Sequence, residues 1–211
     1  MLDSFLEEFI AKKYSDLKNY EMNLRNVQPK YCKIVPELNY EKFFMDAAFE
    51  IAEAGLGNKL YGPFGACVVK DNKIISAACN EVQLQNDPSA HAELLAIRRA
   101  CKKLNTFNLK GCELYATGEP CPMCLSCILW ANIEKVYFAN PVDDAKVDSN
   151  GRDVDFKDAS MYKLLQERDS MQPSDRFSKY IIADSGLPLK LIKLDVENSD
   201  RLYKKYSGKI Y

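Results

Sequence analysis

The chain contains one histidine, His91, two residues before Glu93 in SAHAELLAIRRACKKL, and further on it carries Cys121-Pro-Met-Cys124. A lone histidine is by default a surface residue or a satisfied core residue. A carboxylate in the first turn of a helix is by default a stabiliser of that turn. Cys-x-x-Cys has rival readings of its own, as a redox dithiol or as half of a four-cysteine structural metal site. It overlaps a second, Cys124-Leu-Ser-Cys127, but no separate pair lies elsewhere to complete a four-cysteine site, and no thioredoxin-like order of elements surrounds it. Together, one imidazole and two thiolates make three ligands of a type zinc prefers. Three protein ligands and an open fourth position are the signature of a catalytic zinc rather than a structural one. A water at the open position has its pKa lowered toward neutrality. Glu93 diverges from His91 on a helix, as i and i+2 do, so it leans toward that water and away from the metal. That is the place for a general base and acid.

The elements that must hold these groups are legible around them. Ser89 reads as a helix N-cap, which puts His91 and Glu93 in the first turn of the helix that follows. CPMCLSCILWA reads as a second helix with Pro122 at its first position, where the missing N–H costs nothing. At a helix N-terminus the dipole and the free N–H groups favour thiolates. Cys127, a turn deeper, reads as packing. Upstream, YEKFFMDAAFEIAEAGLG has Phe44, Ala47, Ala48 and Ile51 on one face of a helix that Gly55 and Gly57 stop. GPFGACVVKDNKIISAACN reads as two strands joined at Asp71-Asn72. CELYATG, KVYFAN and LKLIKL read as further strands, and ASMYKLLQ and SDRLYKKY as helices. Residues 1–36 read as a partly helical extension that packs or binds a partner, and residues 37–211 as one domain. The order of elements is that of an α/β fold with helices on both faces of one sheet.

Composition agrees with a single globular domain: 211 residues, 47% hydrophobic and 28% charged, with a formal net charge of −1. No long basic run advertises a phosphate-tracking surface, which argues against a nucleic-acid partner. No stretch approaches the ~20 apolar residues of a membrane-spanning helix. MLDSFLEEFIAKKY lacks the features of a secretory leader. The eight cysteines then suit reducing cytoplasm, as packed thiols or metal ligands.

His91-Ala-Glu93 with Pro120-Cys121-Pro-Met-Cys124 matches the H-x-E and P-C-x-x-C signature of zinc deaminases, in which the glutamate is not a ligand. The chain resembles the cytidine-deaminase-like superfamily and, within it, guanine deaminases of the bacterial and plant type. GPFGACVVKDNKII, NDPSAHAELLAIRRACKKL, EPCPMCLSCILWA and KVYFANPVDDA carry the likeness, over roughly residues 40–146. The resemblance implies a three-layer α/β/α sandwich around a five-stranded mixed sheet, with one zinc per chain held by His91, Cys121 and Cys124. It implies hydrolytic loss of an exocyclic amine as ammonia, with Glu93 carrying the proton, in a homodimer or larger oligomer. It implies that Asn80 hydrogen-bonds the base, that Phe64 and Trp130 line the pocket, and that Asp144 or Asp143 faces the departing amine. It further implies that the C-terminal Tyr211 folds over a neighbour's site as a lid. Gly118 stands where the family has a cysteine or serine, and the segment from 149 onward diverges.

One physical argument bears on the substrate. Guanine shows N1–H and its 2-amino group side by side, two donors that one carboxylate accepts together. Cytosine and adenine place an acceptor next to the amine, which repels a carboxylate. Asp143-Asp144 therefore points to guanine, converted to xanthine and ammonia. The alternatives are guanosine or another amino-purine, an aminated triazine, a tRNA adenosine, or a zinc-stabilised interaction module without catalysis. A structural module would close the fourth zinc position and would have no use for Glu93.

Overall fold

The computed structural model describes residues 7–13, 15–16, 39–141 and 189–206. Helix α1 covers residues 7–13 and 15–16. Then come α2 (Tyr40–Gly55), β1 (Gly62–Lys70), β2 (Lys73–Asn80), α3 (Val82–Gln85), α4 (Ala92–Leu104), β3 (Glu113–Gly118), α5 (Pro122–Trp130), β4 (Lys135–Asn140), β5 (Lys190–Lys193) and α6 (Arg201–Lys205).

The five strands form one sheet in the order β2-β1-β3-β4-β5. β1 runs antiparallel to β2 and to β3, whereas β3, β4 and β5 run parallel to one another. The sheet is therefore mixed, and both faces are covered. Phe44, Met45, Phe49 and Ile51 of α2 pack on Cys67, Val69, Tyr115 and Tyr137. Leu95 and Ile97 of α4, with Leu125 and Ile128 of α5, pack on Ala66, Val68, Leu114 and Val136. Successive residues of β1 thus serve opposite cores, which is why the strand reads as a continuous apolar run rather than an alternation. The three-layer α/β/α architecture and the five-stranded mixed sheet are as expected.

Local signals are realised with one adjustment. Asp71 and Asn72 both take positive φ, 49° and 57°, the requirement of a tight hairpin turn. Gly55 does not stop α2. It is the last helical residue, Leu56 follows as the cap with its N–H shared between the carbonyls of Ala52 and Glu53, and a Cβ at Gly55 would lie 3.2 Å from Cys79 Sγ. A Cβ at Gly65 would lie 2.2 Å from the Ala48 carbonyl oxygen, so its absence lets α2 approach β1. Part of the N-terminal extension joins the domain: Ile10 is buried in the α2-side core and Lys13 pairs with Glu50 at 2.7 Å. Among the described residues, no helix is long and apolar enough to cross a membrane.

Candidate active site

The site forms where α4 and α5 begin. The turn before α4 is closed by Asp87, whose side chain accepts from the Ser89 N–H at 2.8 Å and from its hydroxyl at 2.7 Å. These bonds hold the Asp87 carboxyl below the usual carboxylate range. Ser89 does not cap the helix, and its hydroxyl oxygen instead accepts from Arg98 at 3.1 Å: the N-cap is His91 itself, with extended backbone, and Glu93 is the second helical residue. Both groups stay at the helix mouth, with His91 at its lip.

A second tie fixes this turn to the sheet. The Glu81 N–H, just past the end of β2, donates to the Ala90 carbonyl at 2.9 Å. The Glu81 carboxylate, which is buried, accepts from Arg99 of α4 at 2.9 Å and from Gln85. Arg99 also donates to the Ala77 carbonyl at 3.0 Å. Asn80, also buried, is the last residue of β2 and adjoins this network, so the two segments carrying Asn80 and His91 are braced against each other. Sequence reasoning missed this brace, because Glu81 and Arg99 look like ordinary surface charges.

Cys121 is the N-cap of α5, with Pro122 at the first helical position. Its Sγ accepts from the Cys124 N–H at 3.4 Å. Both cysteines are buried and pack with Leu94 of α4, which joins the two helix N-termini. His91 Nδ1 lies 3.6 Å from Cys121 Sγ and 3.6 Å from Cys124 Sγ. One metal with Zn–S and Zn–N bonds of ordinary length in a tetrahedron would separate its sulfur and nitrogen ligands by about 3.6 Å. The donor set and its spacing therefore fit zinc. The ligand atoms of His91, Cys121 and Cys124 lie within 4.8 Å of one another and form the one such cluster among the described residues. Cys127 stands outside it, with burial pushing its thiol up. Cys121 is held down to about 4 by its hydrogen bond with the Cys124 thiol and then by His91, against the effect of burial. It is ready as a thiolate, the form a metal binds. Glu93 is 8% exposed in the first turn of α4.

The other expected residues divide. Phe64 is half-buried on the α4–α5 side of the sheet. Trp130 does not pack in the core. It ends α5, at the opposite end from the cysteines, and is 84% exposed. Asp143, Asp144 and Tyr211 lie outside the described residues, as does ASMYKLLQ. Tyr203 of α6, which sequence reasoning passed over, is buried against Phe64 with ring centroids 5.7 Å apart.

Residues 38–140 match the cytidine and deoxycytidylate deaminase zinc-binding region. The chain is 44% identical over 133 residues to a guanine deaminase of Bacillus subtilis, covering 62% of this chain and 79% of that protein. It is 46% identical over 99 residues to a tRNA-specific adenosine deaminase of Aquifex aeolicus, covering 47% of this chain and 65% of that one, just under two thirds of its length. Among solved structures, that of guanine deaminase from Bacillus subtilis superposes with a TM-score of 0.53 at 37% identity, covering 69% of this chain and 91% of the other.

Proposed function

The chain belongs to the family of the cytidine and deoxycytidylate deaminase zinc-binding region and is a zinc-dependent aminohydrolase, and we propose that it hydrolyses guanine to xanthine and ammonia. The observation that carries the substrate is the span of the likeness to a guanine deaminase, which takes in 79% of that protein. The Asp143-Asp144 pair after β4 supports it, since a carboxylate suits the paired donors of guanine.

His91, Cys121 and Cys124 would hold the zinc, which when bound activates a water at its open position. Glu93 would take one proton from that water and pass it to the ring as the water oxygen adds to C2 of the base, then take the second and pass it to the departing amine as the C2–N bond breaks. Asn80 hydrogen-bonds the base, Phe64 covers its face, and Asp144 or Asp143 accepts from N1–H and the 2-amino group. Tyr211, at the end of the tail, closes over the site of a partner chain in a homodimer, which would exclude water. The catalytic domain is 37–211, and 1–36 is an appended extension.

A second reading, deamination of adenosine in tRNA, is favoured by the 46% identity to the Aquifex aeolicus enzyme. The net charge of −1 opposes it, since affinity for a nucleic acid rests on neutralising phosphates. Ammonia release from guanine, guanosine, adenine, cytosine, an aminated triazine and an anticodon stem-loop decides between the readings. Guanine should turn over fastest. Faster release from any other member overturns the assignment.

A further inference from the structure

The C-terminal helix brings a phenol to the sheet face that carries the ligand cluster. Ala66 and Val68 of β1, with Leu114 and Ala116 of β3, all face α4 and α5. By strand alternation Phe64 and Gly118 continue these two series. Gly118 is three residues before Cys121, so their Cα atoms are at most about 11 Å apart. A Cβ on Gly118 would stand 3.3 Å from Phe64 Cδ1 and 3.6 Å from the Tyr203 hydroxyl oxygen. The space that a side chain at 118 would occupy is thus bounded by an aromatic ring and a phenol oxygen. A glycine inside a strand commonly marks such a close approach.

The phenol is firmly held. Tyr203 is 6% exposed and Leu202 beside it is fully buried. Arg201 donates to Glu53 of α2 at 2.9 Å and lies over the Phe49 ring at 4.1 Å. Asn140, at the end of β4, donates to the Ser199 carbonyl at 3.0 Å and to the Thr117 carbonyl at 2.8 Å. Gln83 of α3 donates to the Tyr206 hydroxyl at 3.5 Å. α6 is therefore fastened to α2, α3 and the ends of β3 and β4, and Tyr203 is set against Phe64 before anything binds. A group already held in place loses little entropy when a ligand arrives.

We propose that Tyr203 is a specificity-determining residue of the base pocket. Its hydroxyl stands where Gly118 leaves room and hydrogen-bonds the polar edge of a planar heterocyclic substrate whose face lies on Phe64. The proposal rests on the reading of the chain as an amino-base deaminase. A phenol hydroxyl both donates and accepts, so it reads a ring edge without the repulsion a carboxylate meets beside an acceptor. Removing it leaves the ring's polar atom unsatisfied, and a site built around a hydroxyl discriminates more sharply than an apolar one.

The test is steady-state kinetics of the full-length, zinc-loaded Tyr203→Phe and Gly118→Ala variants on the base panel above, with zinc content and melting temperature measured alongside. Tyr203→Phe should keep its zinc and its melting temperature, raise KM for the best substrate about tenfold or more with kcat little changed, and narrow the preference between bases. Gly118→Ala, whose methyl takes the bounded space, should raise KM in the same direction. Unchanged KM and preference in Tyr203→Phe would overturn the proposal. So would a loss that tracks zinc content or melting temperature, which would make Tyr203 a packing residue. If the wild-type protein turns over a base other than guanine fastest, the guanine reading falls and the same comparison on that base still decides the role of Tyr203.

Discussion

Cys121 Sγ and His91 Nδ1 lie 3.6 Å apart although 30 positions separate them in the chain, and each residue is the N-cap of its helix. A metal drawn to that point meets one thiolate already formed and two positive helix ends. His91→Ala and Cys124→Ala should each abolish retention of the single zinc, measured by elemental analysis after gel filtration. Full zinc content in both variants would remove the basis of the site.

The depressed Cys121 thiol gives the zinc-free protein a pH dependence. The group stands at about 4 in the fold against 9.0 ordinarily. A depressed group contributes its full stability above the unfolded value and loses it as the pH falls through the folded one. Zinc-free protein should therefore become steadily easier to unfold with urea as the pH is lowered from about 9 toward 4, and Cys121→Ser should flatten the trend. Equal slopes for the two proteins would contradict the assignment.

Glu93→Gln keeps the size of the side chain and removes its capacity to carry a proton. It should retain zinc and fold, and lose about 10²–10⁴-fold in turnover, the usual range for general acid–base catalysis. A variant within tenfold of wild type in an ammonia-release assay would place the proton transfer elsewhere.

Arg99 and Glu81 form an ion pair of 2.9 Å in which the carboxylate side chain is 5% exposed and the guanidinium 27%. Arg99→Met strands that carboxylate, and removing one partner of a buried pair costs about 3–5 kcal/mol, toward the lower end here because the arginine is partly solvated. Denaturant unfolding of the zinc-loaded protein measures it. Because the pair braces the Ala90–His91 turn, zinc should also dissociate faster from the variant. Stability equal to wild type would show that the brace carries no weight.

The sequence by itself determined what depends on near neighbours. The spacing of Phe44, Ala47, Ala48 and Ile51 marked α2, the Asp71-Asn72 pair marked the hairpin, and Pro122 marked the start of α5, because backbone preference and side-chain period are local. The types and spacing of His91, Glu93, Cys121 and Cys124 announced a zinc site, because few other arrangements of those groups have a use. Where a residue's partner is distant in sequence, local reading failed. Ser89 has the chemistry of a cap, but its hydroxyl oxygen accepts from Arg98, nine positions on. Trp130 reads as an inward residue of an apolar helix, but α5 ends with it and leaves the ring in solvent. Glu81 and Arg99 read as surface charges until β2 and α4 pack together and bury the carboxylate. Tyr203 reads as one aromatic in a charged helix, and only the folded sheet brings it to Phe64 and Gly118. Tertiary structure decided these four because each depends on which side chain arrives from elsewhere in the chain to satisfy, cover or abandon a group, and no local pattern encodes that arrival.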